Sequence, residues 1–343
     1  VIPPANHNRE APGWLTTVAH GSAPATDAVG VVSQSNNAPA QFPLGTTTIT
    51  WTAKDAAGNT GTATSTVTVY DTTAPAVTVP ANIVEEATSS AGAVVTFSAS
   101  ASDLVWGAVN TTCSAASGST FAIQATTVTC SATDGSGNTG SASFTVTVRD
   151  TTAPEIRYLG DITATAGSHC SPVVNYSEPE GWDLVDGYVE VSCSPVSGAT
   201  FQVGTTAVHC SATDAHGNKA SGSFNVTVNY KWNGFFKPVD MAPIVNSSKA
   251  GSAVPLKFNL GGYQGMAIMA AGYPKSAPMS CGGAVEDPLL ETVTAGQSSL
   301  QYDASASQYI YVWKSEKSWA GTCRQIQVKL IDGKTYTANF SFK

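Results

Sequence analysis

Internal repetition constrains this chain more than any single residue does. Asp71-Thr72-Thr73-Ala74-Pro75 recurs as Asp150-Thr151-Thr152-Ala153-Pro154. Ahead of each lies an Asp-x-x-Gly-Asn turn and a run ending in Val-Thr-Val. The turn occurs three times, opened by Asp55, Asp134 and Asp214, and Phe42, Phe121 and Phe201 open the strands before it. Repetition at a fixed period sets the architecture first, because each copy must fold alike. The period is about 80 residues, too long for a solenoid repeat and the size of one small sandwich domain. The division expected is 1–70, 71–149 and 150–229 for three copies, with 230–343 as a different region.

Alternation within the copies gives the fold class. Phe144, Val146 and Val148 point one way and Thr145 and Thr147 the other, with Phe224, Val226 and Val228 as the copy. Period-two alternation buries one face and wets the other, which predicts antiparallel sandwiches and not parallel sheets. The preceding strand reads Val128, Cys130, Ala132 inward, and in the first copy Ile49, Trp51, Ala53. Trp51 is expected to fill the volume that the other copies give to a disulfide, with Gln34 at the partner position. Between the two strands, Asp and Gly supply hairpin chemistry, Asp by accepting from its own turn and Gly by tolerating positive φ. No segment of the repeats has helical periodicity. The fold class expected is all-β: tandem immunoglobulin-like or fibronectin-III-like sandwiches in an elongated rod, with a distinct C-terminal β domain.

Only 12% of residues are charged, against roughly 25% in an average globular protein. Ser, Thr, Asn and Gln must supply the polar surface, and Thr suits strands. The net charge of −8 argues against nucleic acid, whose phosphates need clustered Lys and Arg. No stretch approaches the roughly 20 apolar residues of a membrane span. The chain begins at Val1 without a signal peptide, which reads as a processed chain or a fragment. Val1-Ile2-Pro3-Pro4-Ala5-Asn6 matches Val77-Thr78-Val79-Pro80-Ala81-Asn82. A first strand is therefore expected at Val1, which leaves room for a preceding domain.

Seven cysteines mark the compartment. Cys113 and Cys130 share the spacing of Cys193 and Cys210, at matching positions of two copies. These are the expected bridges, and Cys281 with Cys323 is the third. Disulfides imply an oxidising, extracellular setting, and each short loop is worth about 3 kcal/mol in the chain-entropy model. Metal ligation is the alternative, without Cys-x-x-Cys or clustered His to support it. Cys170 has no counterpart and is expected to be unpaired, as a buried thiol or in an intermolecular bridge.

The Asp-Thr-Thr-Ala-Pro linker, the Val-Pro-Ala-Asn run, the cysteine pair and the Ala-Thr-Asp-x-x-Gly-Asn turn resemble hyalin repeat (HYR) domains. The resemblance covers about residues 1–229, with His7-Asn8-Arg9 standing where an apolar strand is expected. It implies immunoglobulin-like modules of extracellular, adhesive proteins. Beyond Val228 the text changes. Pro255-Leu256-Lys257-Phe258, Ala271-Gly272-Tyr273-Pro274-Lys275, Tyr311-Val312-Trp313-Lys314 and Trp319-Ala320-Gly321-Thr322-Cys323-Arg324 resemble the PxKF domain. That resemblance implies a domain that closes secreted, multi-repeat bacterial proteins, and it transfers no catalytic residue.

Hydrolysis needs a nucleophile beside a base or two facing carboxylates. His7, His20, His169, His209 and His216 are dispersed, and no Gly-x-Ser-x-Gly elbow, phosphate loop or dinucleotide fingerprint is present. No enzyme is expected. Calcium is the candidate cofactor. Asp71 and Asp150 in the linkers are its candidate ligands, with Asp55, Asp134 and Asp214 in nearby turns; the alternative is that these residues cap turns. Lys257 and Asn339 are placed as an isopeptide pair would be, but alternation puts both opposite Phe258 and Phe340. Aromatics crowd the last region, among them Trp232, Tyr263, Tyr309, Tyr311 and Trp313. They form either its core or a surface for glycan or protein.

The function expected is a secreted, cell-surface structural or adhesive protein. It would be a stalk or a filament subunit assembling head to tail, since the chain starts and ends on strands and its strands are poor in charge. The rivals are a module binding glycan or a cell-surface protein through the last domain, and an accessory region of a longer secreted enzyme.

Overall fold

The computed structural model describes residues 1–157, 160–168, 171–282, 290–291 and 300–343. His169 and Cys170 lie outside the described residues. Strands account for all the regular structure described except one 3-10 turn at Lys317–Trp319. The chain divides into two compact units, Val1–Thr151 and Thr152–Lys343.

In the first unit, residues 1–70 build a four-stranded sheet in the order His7–Glu10, Thr60–Tyr70, Gly45–Asp55, Val31–Asn36. The second copy repeats it as Ile83–Glu86, Thr139–Arg149, Ala125–Thr133, Thr111–Cys113. A three-stranded sheet of Ala76–Thr78, Ser100–Asp103 and Gly107–Val109 and a two-stranded pair of Ala93–Val95 with Ser119–Phe121 complete that copy. The long hairpins alternate as their sequences require: Val128, Cys130, Phe144, Val146 and Val148 are buried, and the intervening threonines are not. Each such buried valine contributes about 1.5–3 kcal/mol.

The sheets are not wholly antiparallel. His7–Glu10 runs parallel to Thr60–Tyr70, and Ile83–Glu86 parallel to Thr139–Arg149. The same pairing joins Ile162–Thr165 to Lys219–Asn229 and Val245–Ser248 to Thr335–Phe342 in the second unit. His7-Asn8-Arg9 thus forms the expected strand despite its polarity, because its ladder is made by backbone and its side chains stay largely exposed.

Three local expectations are corrected. Asn36, not Gln34, faces Trp51, and Gln34 faces Ala53; a register shift between Val31 and Ser33 accounts for one of the two residues of displacement. Residues 1–6 form no strand. The segment beside them carries Pro24, whose nitrogen cannot donate to a ladder, and one bond remains, from the Ile2 N–H to the Pro24 carbonyl at 2.9 Å. Phe42, Phe121 and Phe201 do not open the long strands, which begin at Gly45, Ala125 and Gly204. Bends intervene, with φ of 99° at Gly45 and 107° at Gly204, so that each ring enters the core.

The cores cross the repeat boundaries. Phe42, Ile49, Trp51, Val67 and Val69 of the first copy cluster with Val105 of the second, and Trp106 packs against them. In the second unit, one cluster runs from Val208, Phe224 and Val226 to Leu256, Trp313 and Phe340. That unit holds the third copy, whose four-stranded sheet is Ile162–Thr165, Lys219–Asn229, Gly204–Thr213, Val191–Ser194. It also holds a four-stranded and a five-stranded sheet from residues 235–342. The Tyr230 N–H donates to Asp332 at 2.9 Å and Gln264 Nε2 donates to the Gly167 carbonyl at 2.7 Å, tying the two parts together.

Disulfides join Cys113 to Cys130, Cys193 to Cys210 and Cys281 to Cys323. The first two link residues directly opposite each other across neighbouring strands.

Candidate functional site

Three buried aspartates converge where the first copy meets the second. Each is placed by a separate piece of local chemistry. Asp134 opens its hairpin turn and binds it from within. One carboxylate oxygen accepts the N–H of Ser136 at 2.8 Å and of Asn138 at 2.9 Å, and the other accepts Asn138 Nδ2 at 3.0 Å. Gly137, at φ 91°, takes the left-handed conformation the turn needs. Burial raises the Asp134 pKa, but the bonds from Asn138, Ser136 and Gly137 outweigh it and hold the group below the ordinary 3.8.

Asp103 closes the strand Ser100–Asp103. Its Oδ1 accepts the N–H of Val105 at 2.7 Å and of Trp106 at 3.0 Å. These bonds shape the loop that carries Val105 into the core of the first copy. Its Oδ2 is buried and has no hydrogen-bond partner.

Asp71 follows the strand Thr60–Tyr70. Its Oδ1 accepts the Thr73 N–H at 3.1 Å. Its Oδ2 accepts Trp106 Nε1 at 3.1 Å and the Ser136 hydroxyl at 2.9 Å. Asn138 Nδ2 also donates to the Asp71 carbonyl, at 3.1 Å. One carboxylate oxygen from each of Asp71, Asp103 and Asp134 lies within 4.8 Å of the other two. Among the described residues none of the three forms an ion pair.

The surroundings are fitted to this arrangement. A Cβ at Gly135 would lie 2.2 Å from the Trp106 ring, and one at Gly140 would lie 1.9 Å from the Pro75 carbonyl. The third copy has Ala215 and Ala220 at these positions, and Asp186 in place of Trp106. There Asp186 accepts the Ala215 N–H at 3.0 Å and pairs with His216 at 3.2 Å. Asp183 repeats the role of Asp103, accepting from Val185 and Asp186 with Oδ1, and its buried Oδ2 has no partner.

Of the residues expected to bind calcium, Asp71 and Asp134 meet in this cluster. Asp55 is occupied by its own loop through Asn59 and Ala57. Asp150 is buried at the end of the first unit, and Asp214 caps its own turn through His216 and Asn218. Asp103 is the member that neither the linker nor the hairpin motif marks. Its signal is the tripeptide Asp103-Leu104-Val105, repeated as Asp183-Leu184-Val185.

The other candidates are placed as follows. His20 packs on Phe42 and Trp51, His209 is exposed, and His216 faces Asp186. Lys257 lies in the four-stranded sheet of the last region and Asn339 in the five-stranded one, where Asn339 accepts from Gln325. Tyr309, Tyr311 and Trp313 are core residues. Trp232 stacks on Tyr336 at 3.7 Å, and burial with nearby Asp332 pushes the Tyr336 phenol up to about 12. Tyr263 and Phe236 of the last region are exposed, as are Trp14 and Tyr70 of the first copy, and the third copy presents an exposed aromatic pair. Trp182 and Tyr188 are cross-strand partners, 52% and 68% exposed, with Leu184 exposed beside them.

A family model described as the HYR domain matches residues 13–69, 70–148 and 149–228. Hyalin of Strongylocentrotus purpuratus is 36% identical over 218 residues, 60% of this chain and 18% of that protein. Hyalin of Lytechinus variegatus is 32% identical over 217 residues, 60% of this chain and 41% of that protein. The chain thus spans less than half the length of either. Among solved structures, the protocadherin GammaB4 extracellular domain matches at 13% identity and TM-score 0.29, over 98% of this chain and 66% of that one. Sidekick-1 immunoglobulin domains 1–5 match at 10% identity and TM-score 0.26, over 99% and 79%.

Proposed function

The chain belongs to the HYR domain family, and from that membership we propose that it is a non-enzymatic adhesive or structural protein of the extracellular space. The observation that carries this reading is the joint between the first two copies. Val105 of one copy is buried in the core of the other, so the repeats are held in a set relation as a spacer or stalk requires. Three disulfides suit an oxidising compartment. No described helix is long and apolar enough to cross a membrane. We assign residues 1–70, 71–149 and 150–229 to the three modules. Residues 230–343 are assigned to a PxKF-like domain of the kind that closes secreted bacterial surface proteins.

Self-association into a filament is the finer form of the proposal. Val31–Asn36 is an edge strand that is largely exposed and has neither charge nor proline, two of the features that normally protect an edge, and carries one bulge near its start. Negative-stain microscopy of concentrated protein tests this: regular fibres support it, and dispersed particles at every concentration reject it. Adhesion itself is tested by coating beads with the chain and scoring their attachment to cells or to each other, against uncoated beads. A binding role is favoured by one observation, the exposed Trp182–Tyr188 pair, since aromatic faces stack on sugars. A glycan array with the Trp182→Ala variant as control decides it.

A further inference from the structure

We propose that Asp71, Asp103 and Asp134 bind one hard divalent cation, of the calcium class, at the joint between the first two copies. The site goes beyond the adhesive reading and stands or falls separately from it.

Three carboxylates are buried together. Burial of like charges in a low-dielectric place is unfavourable unless a positive charge joins them. Among the described residues no Lys, Arg or His supplies that charge. Hydrogen bonds satisfy Asp134 and Asp71, and Oδ1 of Asp103. They leave Asp103 Oδ2, on a residue only 8% exposed, with no partner. A buried carboxylate oxygen in that state needs a ligand or a proton.

The donor set selects the ligand. Every candidate atom is oxygen, which suits a hard cation and disfavours zinc, whose sites draw on Cys and His. Calcium sits about 2.3–2.6 Å from its oxygens, so two of them can be up to about 5 Å apart. The 4.8 Å limit on the separations in this cluster is within that reach. Three protein carboxylates leave the remaining positions to carbonyl oxygen or water, which places affinity in the range of extracellular modules, about 10⁻⁴–10⁻³ M. Trp106 matters to the site because its N–H holds Asp71 Oδ2 while its own backbone N–H holds Asp103. The linker and the second copy are thereby aimed at one point.

The test is calcium titration of the full chain, stripped with chelator, by calorimetry and thermal melting. Asp103→Asn keeps an Oδ1 acceptor for Val105 and Trp106 and removes the charge. The expected result is that Asp103→Asn binds one calcium equivalent fewer than wild type and gains less melting temperature from calcium. In chelator it should melt at or above wild type, because one of three crowded charges is gone; Asp71→Asn is the second variant should the first fold poorly. Equal calcium stoichiometry in wild type and both variants overturns the proposal. So does an infrared band of a protonated carboxyl that persists in wild type at saturating calcium and is absent from Asp103→Asn, for then the Oδ2 holds a proton. An equal melting shift with magnesium at the same concentration overturns the calcium assignment.

Discussion

Asp134 shows how one residue can serve its own turn and a larger site together. Its loop holds its carboxyl below the ordinary carboxylate pKa, and Asp55 and Asp214 are lowered likewise. A carboxylate whose folded pKa lies below its unfolded value binds fewer protons when folded. Its stabilisation is complete above the unfolded pKa and is lost as pH falls through the folded one. Urea midpoints should therefore show no pH dependence from these groups between pH 7 and about pH 5, and a fall below about pH 4. Asn138→Ala should shrink that acid-dependent fall by removing the Nδ2 bond to Asp134, one of those that hold its pKa down. The close contact at Gly140 gives a sharper expectation. Gly140→Ala drives a Cβ into the Pro75 carbonyl and should cost about 1–3 kcal/mol by denaturant unfolding, as overpacking does. The matching Gly61→Ala in the first copy meets only a side-chain methyl of Val1 at 3.7 Å and should be near neutral. Asp71 and Asp134 are legible in the sequence because linker and turn motifs repeat around them. Asp103 is harder to read, since an aspartate at a strand end looks like any turn residue until the fold brings it to the other two.

Strands were legible in proportion to their length. Thr139–Arg149 and Lys219–Asn229 run for 11 residues each, long enough for alternation to declare itself, and both bury the predicted face. Strands of two or three residues, such as Phe42–Pro43 or Ala199–Thr200, carry no period and depend on partners far away in the chain. The register of Val31–Asn36 against Gly45–Asp55 was misread for a related reason. A bulge adds one residue without changing composition, and it accounts for one of the two residues by which Trp51 meets Asn36 where strict counting places Gln34. The cross-strand disulfide of the second copy gives the prediction at this scale. Replacing both Cys113 and Cys130 with Ser should lower the stability of the first unit by about 3 kcal/mol, the loop-closure value for a 17-residue separation. Urea unfolding followed by tryptophan fluorescence would measure it.

Across the whole molecule, cooperativity should follow the cores and not the repeats. The first two copies share buried residues through Val105, and the third shares one core with residues 230–343. Calorimetry of the full chain should then show two unfolding transitions, one for each compact unit, although the HYR model matches three separate segments of the sequence. Val105→Ala should weaken the first transition by about 1–3 kcal/mol and leave the second in place. The parallel pairs carry a different consequence. In each of the three copies and in residues 230–343 an early strand lies beside the last one and points the same way; in all but the first copy a shorter strand, Ala76–Thr78, Glu155–Arg157 or Phe235–Phe236, precedes it in another sheet. Tension applied to the two ends of a module pulls those neighbours in opposite directions along their length. The hydrogen bonds between them are loaded together in shear and cannot be unzipped one by one. A module built this way yields at high force even where its equilibrium stability is ordinary, because forced rupture follows the unfolding barrier and not the free energy. A chain of such modules is a tether whose resistance to pulling is set by its backbone ladders.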